Sequence, residues 1–168
     1  MTNVRNTIPV LALHPTSDGF GFVLMTSPLS PVDWGKMKAR GKEKNVICLK
    51  KISELIDLHQ PEAIILEDPS EPRSQRSERI KRLVRLIATF AEDQAIDFHV
   101  FPRAAIQKCF DKLEARSRHE IAVSIANCIP AFAPFLPPSR QRWTNEDARM
   151  SVFSAAALAI TYFDSWTH

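Results

Sequence analysis

Two short apolar runs joined by a polar turn begin the hydrophobic pattern. Residues 8–13 (IPVLAL) are followed, after a Thr-Ser-Asp turn, by residues 19–25 (GFGFVLM). Apolar runs of this length, separated by a short turn, predict a β-hairpin. Pro28 and Pro31 limit the next segment, as far as Trp34, to an edge strand at most.

Further along the chain, helical and strand patterns alternate. Apolar spacing typical of helices predicts five of them, over 44–59, 77–93, 104–110, 118–129 and 146–163. Residues 62–67 (EAIILE) and 96–101 (IDFHVF) are predicted strands, and residues 130–145 are predicted to form a Pro-rich loop. This order predicts an α/β fold with a mixed central sheet and helices on both faces. We expect a single domain over residues 1–168.

Composition excludes some function classes. The 168 residues are 45% hydrophobic, and 22 Lys+Arg against 19 Asp+Glu leave a net charge of only +3. Global charge therefore does not indicate a nucleic-acid partner, and only local clusters of basic residues can. The chain lacks both G-x-G-x-x-G and G-x-x-x-x-G-K-[ST], so the nucleotide-binding loops that depend on these motifs are excluded.

The cysteines and the apolar runs bear on the compartment. Cys48, Cys109 and Cys128 are far apart and lie in apolar patterns, which predicts buried, reduced thiols in a cytoplasmic protein. No histidine lies near a cysteine at a spacing typical of structural zinc. No apolar run approaches the ~20 residues of a membrane helix, and the polar N-terminus shows no signal peptide, so we expect no membrane association.

Acidic residues and one histidine lie where predicted elements begin or end. Glu67 and Asp68 end a strand, His14 ends the first strand, and Glu146 and Asp147 begin the last helix. Ligands of open α/β sheets gather beyond the carboxyl ends of strands, and converging carboxylates there suit Mg²⁺ and metal-assisted phosphodiester hydrolysis. Each feature also has a simpler interpretation. In that interpretation, Glu146 and Asp147 interact favourably with the dipole at the start of a helix. Glu67 and Asp68 lie in a turn that ends a strand, and His14 is a hydrogen-bonded loop residue.

Several motifs together resemble one family. LALHPTSDGFGFVLM, EAIILEDP, VFPRAAIQKCF and SAAALAIT are similar, in order and spacing, to segments of the RuvC-type Holliday-junction resolvases of the RNase H-like superfamily. The resemblance implies an RNase H-like fold and a metal-dependent endonuclease that acts on branched or structured DNA as a homodimer. Two alternatives remain: a catalytically impaired DNA-binding or scaffold protein on the same fold, and an RNase H-like protein with another nucleic-acid substrate.

The resemblance assigns roles residue by residue. Glu67 matches the family's second catalytic acid, whereas His14 stands where an Asp is expected and Ser154 stands where the last helix carries an Asp. In an active enzyme, Glu67 and Asp147 would hold Mg²⁺ or Mn²⁺. Asp68 or Glu146 would assist them, and His14 would be a ligand or a base near the attacking water.

Basic residues form clusters that predict contacts with DNA phosphates. The first follows Glu67, the second lies near the end of the strand at 96–101, and the third lies in the Pro-rich loop. The predicted nucleic-acid-binding residues are Arg73, Arg76, Arg79, Arg82, Arg103, Lys108, Arg118 and Arg142. Such contacts give salt-sensitive binding with little sequence preference. The alternative is a solvated helix face, because acidic residues partly balance the first cluster.

Overall fold

One five-stranded mixed sheet organises the molecule. The computed structural model describes residues 8–70, 76–138 and 149–165. Its strands are β1 (Val10–Thr16), β2 (Gly19–Ser27), β3 (Ser30–Lys38), β4 (Ala63–Glu67) and β5 (Asp97–Phe101). Their order across the sheet is β3-β2-β1-β4-β5, with β1, β4 and β5 parallel and β2 and β3 antiparallel to their neighbours. The predicted mixed sheet and its β1–β2 hairpin are confirmed.

Helices cover both faces of this sheet, as predicted. They are α1 (Lys44–His59), α2 (Glu78–Asp93), α3 (Arg103–Phe110), α4 (Arg118–Cys128) and α5 (Met150–Ser165). Helices α1 and α2 pack on one face, and α5 packs directly on the other, with α3 and α4 against it. Short 3₁₀ helices span Asp111–Leu113 and Pro130–Phe135, so the predicted Pro-rich loop begins instead with helical turns.

The alternation of side chains along β1 and β4 divides the core in two. Leu11, Leu13, Ile64 and Leu66 face α1 and α2, whereas the residues between them face α5. All of these residues are apolar because both faces of the central strands are covered. The residues facing α5 are small or β-branched near the strand starts, and they end in His14 and Glu67 at the carboxyl ends.

The expectation of three buried cysteines is wrong. All three cysteines are free, but Cys128 is exposed at the end of α4, whereas Cys48 is buried and Cys109 half-buried. Among the described helices, none is long and apolar enough to span a membrane.

Candidate functional site

The carboxyl ends of β1 and β4 bring His14 and Glu67 together. The two strands pair in parallel from Val10 opposite Ala63 to Ala12 opposite Ile65. Continuing this register by two residues places His14 opposite Glu67, with both side chains on the sheet face that α5 covers. The rim predicted from the sequence therefore exists for these two residues. Glu146 and Asp147, predicted to complete it, lie outside the described residues.

His14 is buried against an arginine. Its exposed fraction is only 6%, and Nη2 of Arg76 lies 3.3 Å from both ring nitrogens. A group in the ring plane at equal distances from both nitrogens would clash with the ring carbons, so this nitrogen lies over the ring face, as in a cation–π contact. Burial, with the charges of Arg76, Arg118 and Arg103, holds the pKa of His14 well below its usual range. His14 is therefore neutral.

Arg76 connects three parts of the rim. Its Nη1 donates a 2.7 Å hydrogen bond to the carbonyl of Pro15, and its Nη2 lies 3.8 Å from Oε2 of Glu67. The side chains of Arg76 and Glu67 are 21% and 17% exposed, so this ion pair is partly shielded from solvent. The sequence predicted Arg76 as a phosphate ligand, and the structure places it inside the candidate site.

A narrow cavity lies on the other side of Glu67. Arg103, Arg118, Met150 and Ser154 contribute to its walls. Its volume of ≈ 10 Å³ is near the minimum that admits one water molecule. Ser154 of α5 thus lies beside Glu67, at the helix position where the family resemblance expects an acid.

A close contact between α5 and β2 sets the position of Ser154. Gly21 pairs with His14 across the hairpin, and a Cβ added to Gly21 would lie 2.5 Å from the carbonyl carbon and oxygen of Ser151. Only glycine permits this approach. Hydrophobic periodicity does not mark Gly21 as a site residue, but its predicted position opposite His14 in the hairpin could have indicated its importance.

The other predicted ligand in the described chain, Asp68, is engaged in a turn. Its Oδ1 accepts hydrogen bonds from the backbone N–H (2.9 Å) and the hydroxyl (2.6 Å) of Ser70. Its own N–H donates to the carbonyl of Phe101 at the end of β5. This is the turn interpretation that the sequence left open, and the hydrogen bonds from Ser70 are both accepted by Oδ1.

The predicted phosphate-binding residues divide by exposure. Arg79 is partly buried, and its guanidinium donates hydrogen bonds to the carbonyl of Thr16 (2.8 Å) and to the side chain of Asn45 (3.0 Å). Arg103 is partly buried in the wall of the cavity. Three others are exposed to solvent, namely Arg82, Lys108 and Arg118. Arg73 and Arg142 lie outside the described residues.

The donors that the structure describes do not fit a Mg²⁺ site. Within residues 8–70, 76–138 and 149–165, no group of three or more His, Cys, Asp or Glu side chains is placed to hold a metal ion. Mg²⁺ requires nearly octahedral oxygen coordination. Here one carboxylate, that of Glu67, faces a neutral imidazole and a guanidinium. Imidazole suits Mn²⁺ better than Mg²⁺, but the ring of His14 is covered by Arg76.

Comparisons with known proteins place the fold. No protein-family model and no curated protein sequence matches the chain. Among solved structures, it is similar to Thermus thermophilus RuvC in complex with a Holliday junction substrate, at TM-score 0.67 and 12% identity over 95% of this chain and 96% of the other. A second Thermus thermophilus RuvC structure gives TM-score 0.64 and 14% identity, with the same coverage. The yeast mitochondrial Holliday junction resolvase gives TM-score 0.62 and 13% identity, over 96% of this chain and 81% of the other.

Proposed function

From the RuvC-type fold that these comparisons establish, we propose that this chain binds branched DNA and does so without a metal-dependent cleavage step. The observation that carries the proposal is the arrangement of His14, Arg76 and Glu67 at the ends of β1 and β4. Within the described residues, a neutral ring and a guanidinium lie there beside the carboxylate of Glu67. Arg76 therefore offsets the charge of Glu67, and the cations that could bind DNA phosphates are the exposed basic side chains around the rim.

Exposed basic side chains support DNA as the ligand. Arg118 begins α4 and contributes to the cavity beside Glu67, so one solvent-exposed cation lies at the rim itself. Lys108 and Arg82 add exposed cations on α3 and α2. Contacts of these side chains with phosphates would position the duplex arms without reading sequence. One structural neighbour was solved with a Holliday junction substrate, which makes a four-way junction the first ligand to test.

A metal-dependent endonuclease is the second candidate, and one observation favours it. Glu67 occupies the carboxyl end of β4, next to Ser154 of α5, as the family resemblance requires. Under this hypothesis Glu67 and Asp147 hold Mg²⁺ or Mn²⁺, with Asp68 or Glu146 in support and His14 as a ligand or base. Only Glu67, Asp68 and His14 of this set belong to the described residues.

Oligomeric state is part of the proposal. A four-way junction presents two symmetry-related strands, and a homodimer with two-fold symmetry would match them. Helix α2 is the proposed interface, by resemblance to the family. Light scattering of the purified protein, with and without a junction, measures this directly, and a monomer in both conditions would contradict the dimer.

The decisive experiment separates binding from cleavage. A labelled four-way junction and a linear duplex of the same arm sequence are incubated with the protein in EDTA, in Mg²⁺ and in Mn²⁺. We expect the junction to be bound more tightly than the duplex in all three buffers and to remain intact. Cleavage in either metal that disappears in Glu67→Gln would establish the endonuclease instead. Equal, weak binding of both DNAs would refute branched-DNA recognition.

A further inference from the structure

We propose that the guanidinium of Arg76 is a built-in cation that takes the place of a divalent ion between His14 and Glu67. In the described part of the site, the charge of Glu67 is then compensated without metal. The part of this inference that concerns DNA rests on the proposed function: junction binding should not depend on divalent ions. The part that concerns metal binding stands on the geometry of these three side chains alone.

The position of Nη2 carries the first step. It lies 3.3 Å from both nitrogens of His14 and 3.8 Å from Oε2 of Glu67, so one cationic group contacts both side chains. A Mg²⁺ ion bound by both would need to approach a nitrogen and an oxygen to about 2.1 Å, beside this fixed positive charge. Arg76 therefore opposes such an ion through its like charge and by pairing with the carboxylate that the ion would need.

A second contact holds the guanidinium in place independently of Glu67. Nη1 donates to the carbonyl of Pro15 at 2.7 Å, a shorter contact than those of Nη2 with His14 and Glu67. The carbonyl belongs to β1, so the arginine is held by the backbone as well as by a carboxylate. An ion arriving at Glu67 would have to displace this hydrogen bond as well as the ion pair.

The start of α2 directs Arg76 towards the rim. Ser77 is the N-cap of this helix, and its Oγ accepts a hydrogen bond from the N–H of Ile80. Arg79, the second residue of the helix, donates to the carbonyl of Thr16, next to the residue that Arg76 binds. Two arginines thus attach the helix start to consecutive carbonyls at the end of β1. A guanidinium is protonated at any pH compatible with folding, so this cation is permanent.

Metal binding by engineered variants tests the inference. The melting temperature is measured with and without millimolar Mn²⁺, and bound Mn²⁺ is counted by electron paramagnetic resonance. We expect no shift and no stoichiometric binding for the wild type, for Arg76→Lys, which keeps the charge, and for Arg82→Gln, which removes an exposed arginine of α2. The double variant His14→Asp/Arg76→Gln removes the cation and supplies an oxygen donor. It should bind one Mn²⁺ and melt about 3 °C higher with the metal than without it.

Two results would overturn the inference. Stoichiometric Mn²⁺ binding by the wild type that is lost in Glu67→Gln would show that the metal and Arg76 coexist, and this measurement does not depend on how well the Arg76 variants fold. A folded double variant that binds no Mn²⁺ would show that the guanidinium does not occupy a cation position. A merely structural role for Arg76 would lower stability in both buffers equally, without a gain of metal binding.

Junction binding at constant ionic strength separates this inference from the proposed function. Wild-type protein is titrated with the four-way junction in EDTA and in Mg²⁺, and the two dissociation constants should agree within about twofold. A requirement for Mg²⁺ would contradict the inference while leaving DNA binding in place. Absence of junction binding in both buffers would contradict the proposed function, and the Mn²⁺ measurements would still decide the role of Arg76.

Discussion

Replacing Gly21 by alanine tests how the candidate site is assembled. Gly21 lies on β2 opposite His14, and its missing side chain lets α5 approach the sheet at Ser151. The new Cβ would lie 2.5 Å from two backbone atoms of Ser151 and 2.6 Å from its hydroxyl. Backbone atoms within a helix cannot rotate away, so α5 or β2 must move.

The size of the effect follows from this overlap. Ordinary van der Waals contact begins near 3.4 Å, so the helix must withdraw by about 1 Å. Overpacking of this kind destabilises a protein by about 1–3 kcal/mol. We expect a value in the upper half of this range because the overlapping atoms of Ser151 include its backbone carbonyl. Alanine has less conformational entropy than glycine in the unfolded chain, which offsets about 0.4–1 kcal/mol of this destabilisation. The net loss of about 2 kcal/mol corresponds to a melting temperature lower by roughly 4–8 °C for a chain of this size.

Two control variants make the measurement specific. In Gly35→Ala, on the neighbouring strand, the nearest contact is 3.3 Å from a ring carbon of Phe22, which can shift, so stability should change by less than about 0.5 kcal/mol. Gly21→Ala/Ser151→Ala should remain as unstable as Gly21→Ala, because the backbone contacts persist. Denaturation followed by circular dichroism measures all three. An unchanged melting temperature in Gly21→Ala, or full rescue by Ser151→Ala, would refute the proposed packing of α5.

Three other measurements address the charged groups. His14 is neutral in the folded state and gains a proton on unfolding below a pH of about 6.5. The free energy of unfolding should therefore fall on acidification by up to about 1.4 kcal/mol per pH unit, and His14→Gln should flatten this slope. Arg79→Met should lower the free energy of unfolding by about 2 kcal/mol in a urea titration, because two hydrogen bonds to neighbouring elements are lost. Arg85 is exposed, so Arg85→Met should change it very little. Arg118→Gln should reduce by about one the slope of log Kd against log salt for junction binding, and an unchanged slope would remove Arg118 from the DNA contact set.

Periodicity predicted the layers of the fold better than their edges. The alternation and apolar runs located β4 and β5 to within one residue and the strands of the β1–β2 hairpin to within three, because buried positions are dictated by the sheet itself. Strand β3 extends to Lys38, beyond the predicted limit at Trp34. Pro31 is tolerated there because β3 is an edge strand whose register with β2 shifts beside Met25.

The candidate site was predictable only where it depends on strand ends. Glu67 and His14 lie on neighbouring parallel strands because Glu67 ends β4 and His14 lies near the end of β1, and the sequence pattern indicates both strand ends. The contact between Arg76 and His14 joins residues 62 positions apart, across the segment 71–75, and depends on which way one long side chain turns. No hydrophobic pattern encodes such a direction, so Arg76, just before α2, could not be distinguished from Arg82, which is exposed on α2.

The contacts of Arg76 also explain how a carboxylate can remain at this position without a metal ion. Glu67 ends a strand whose four preceding residues are fully buried, and its own side chain is only 17% exposed. A carboxylate held there without a partner would be destabilising, because burial disfavours its charged form. In a metal-dependent site the ion supplies the compensating charge, and stability then varies with metal concentration. A covalently attached guanidinium supplies the same compensation at every metal concentration. Folding is thereby uncoupled from metal, while the acid at the end of β4 is retained.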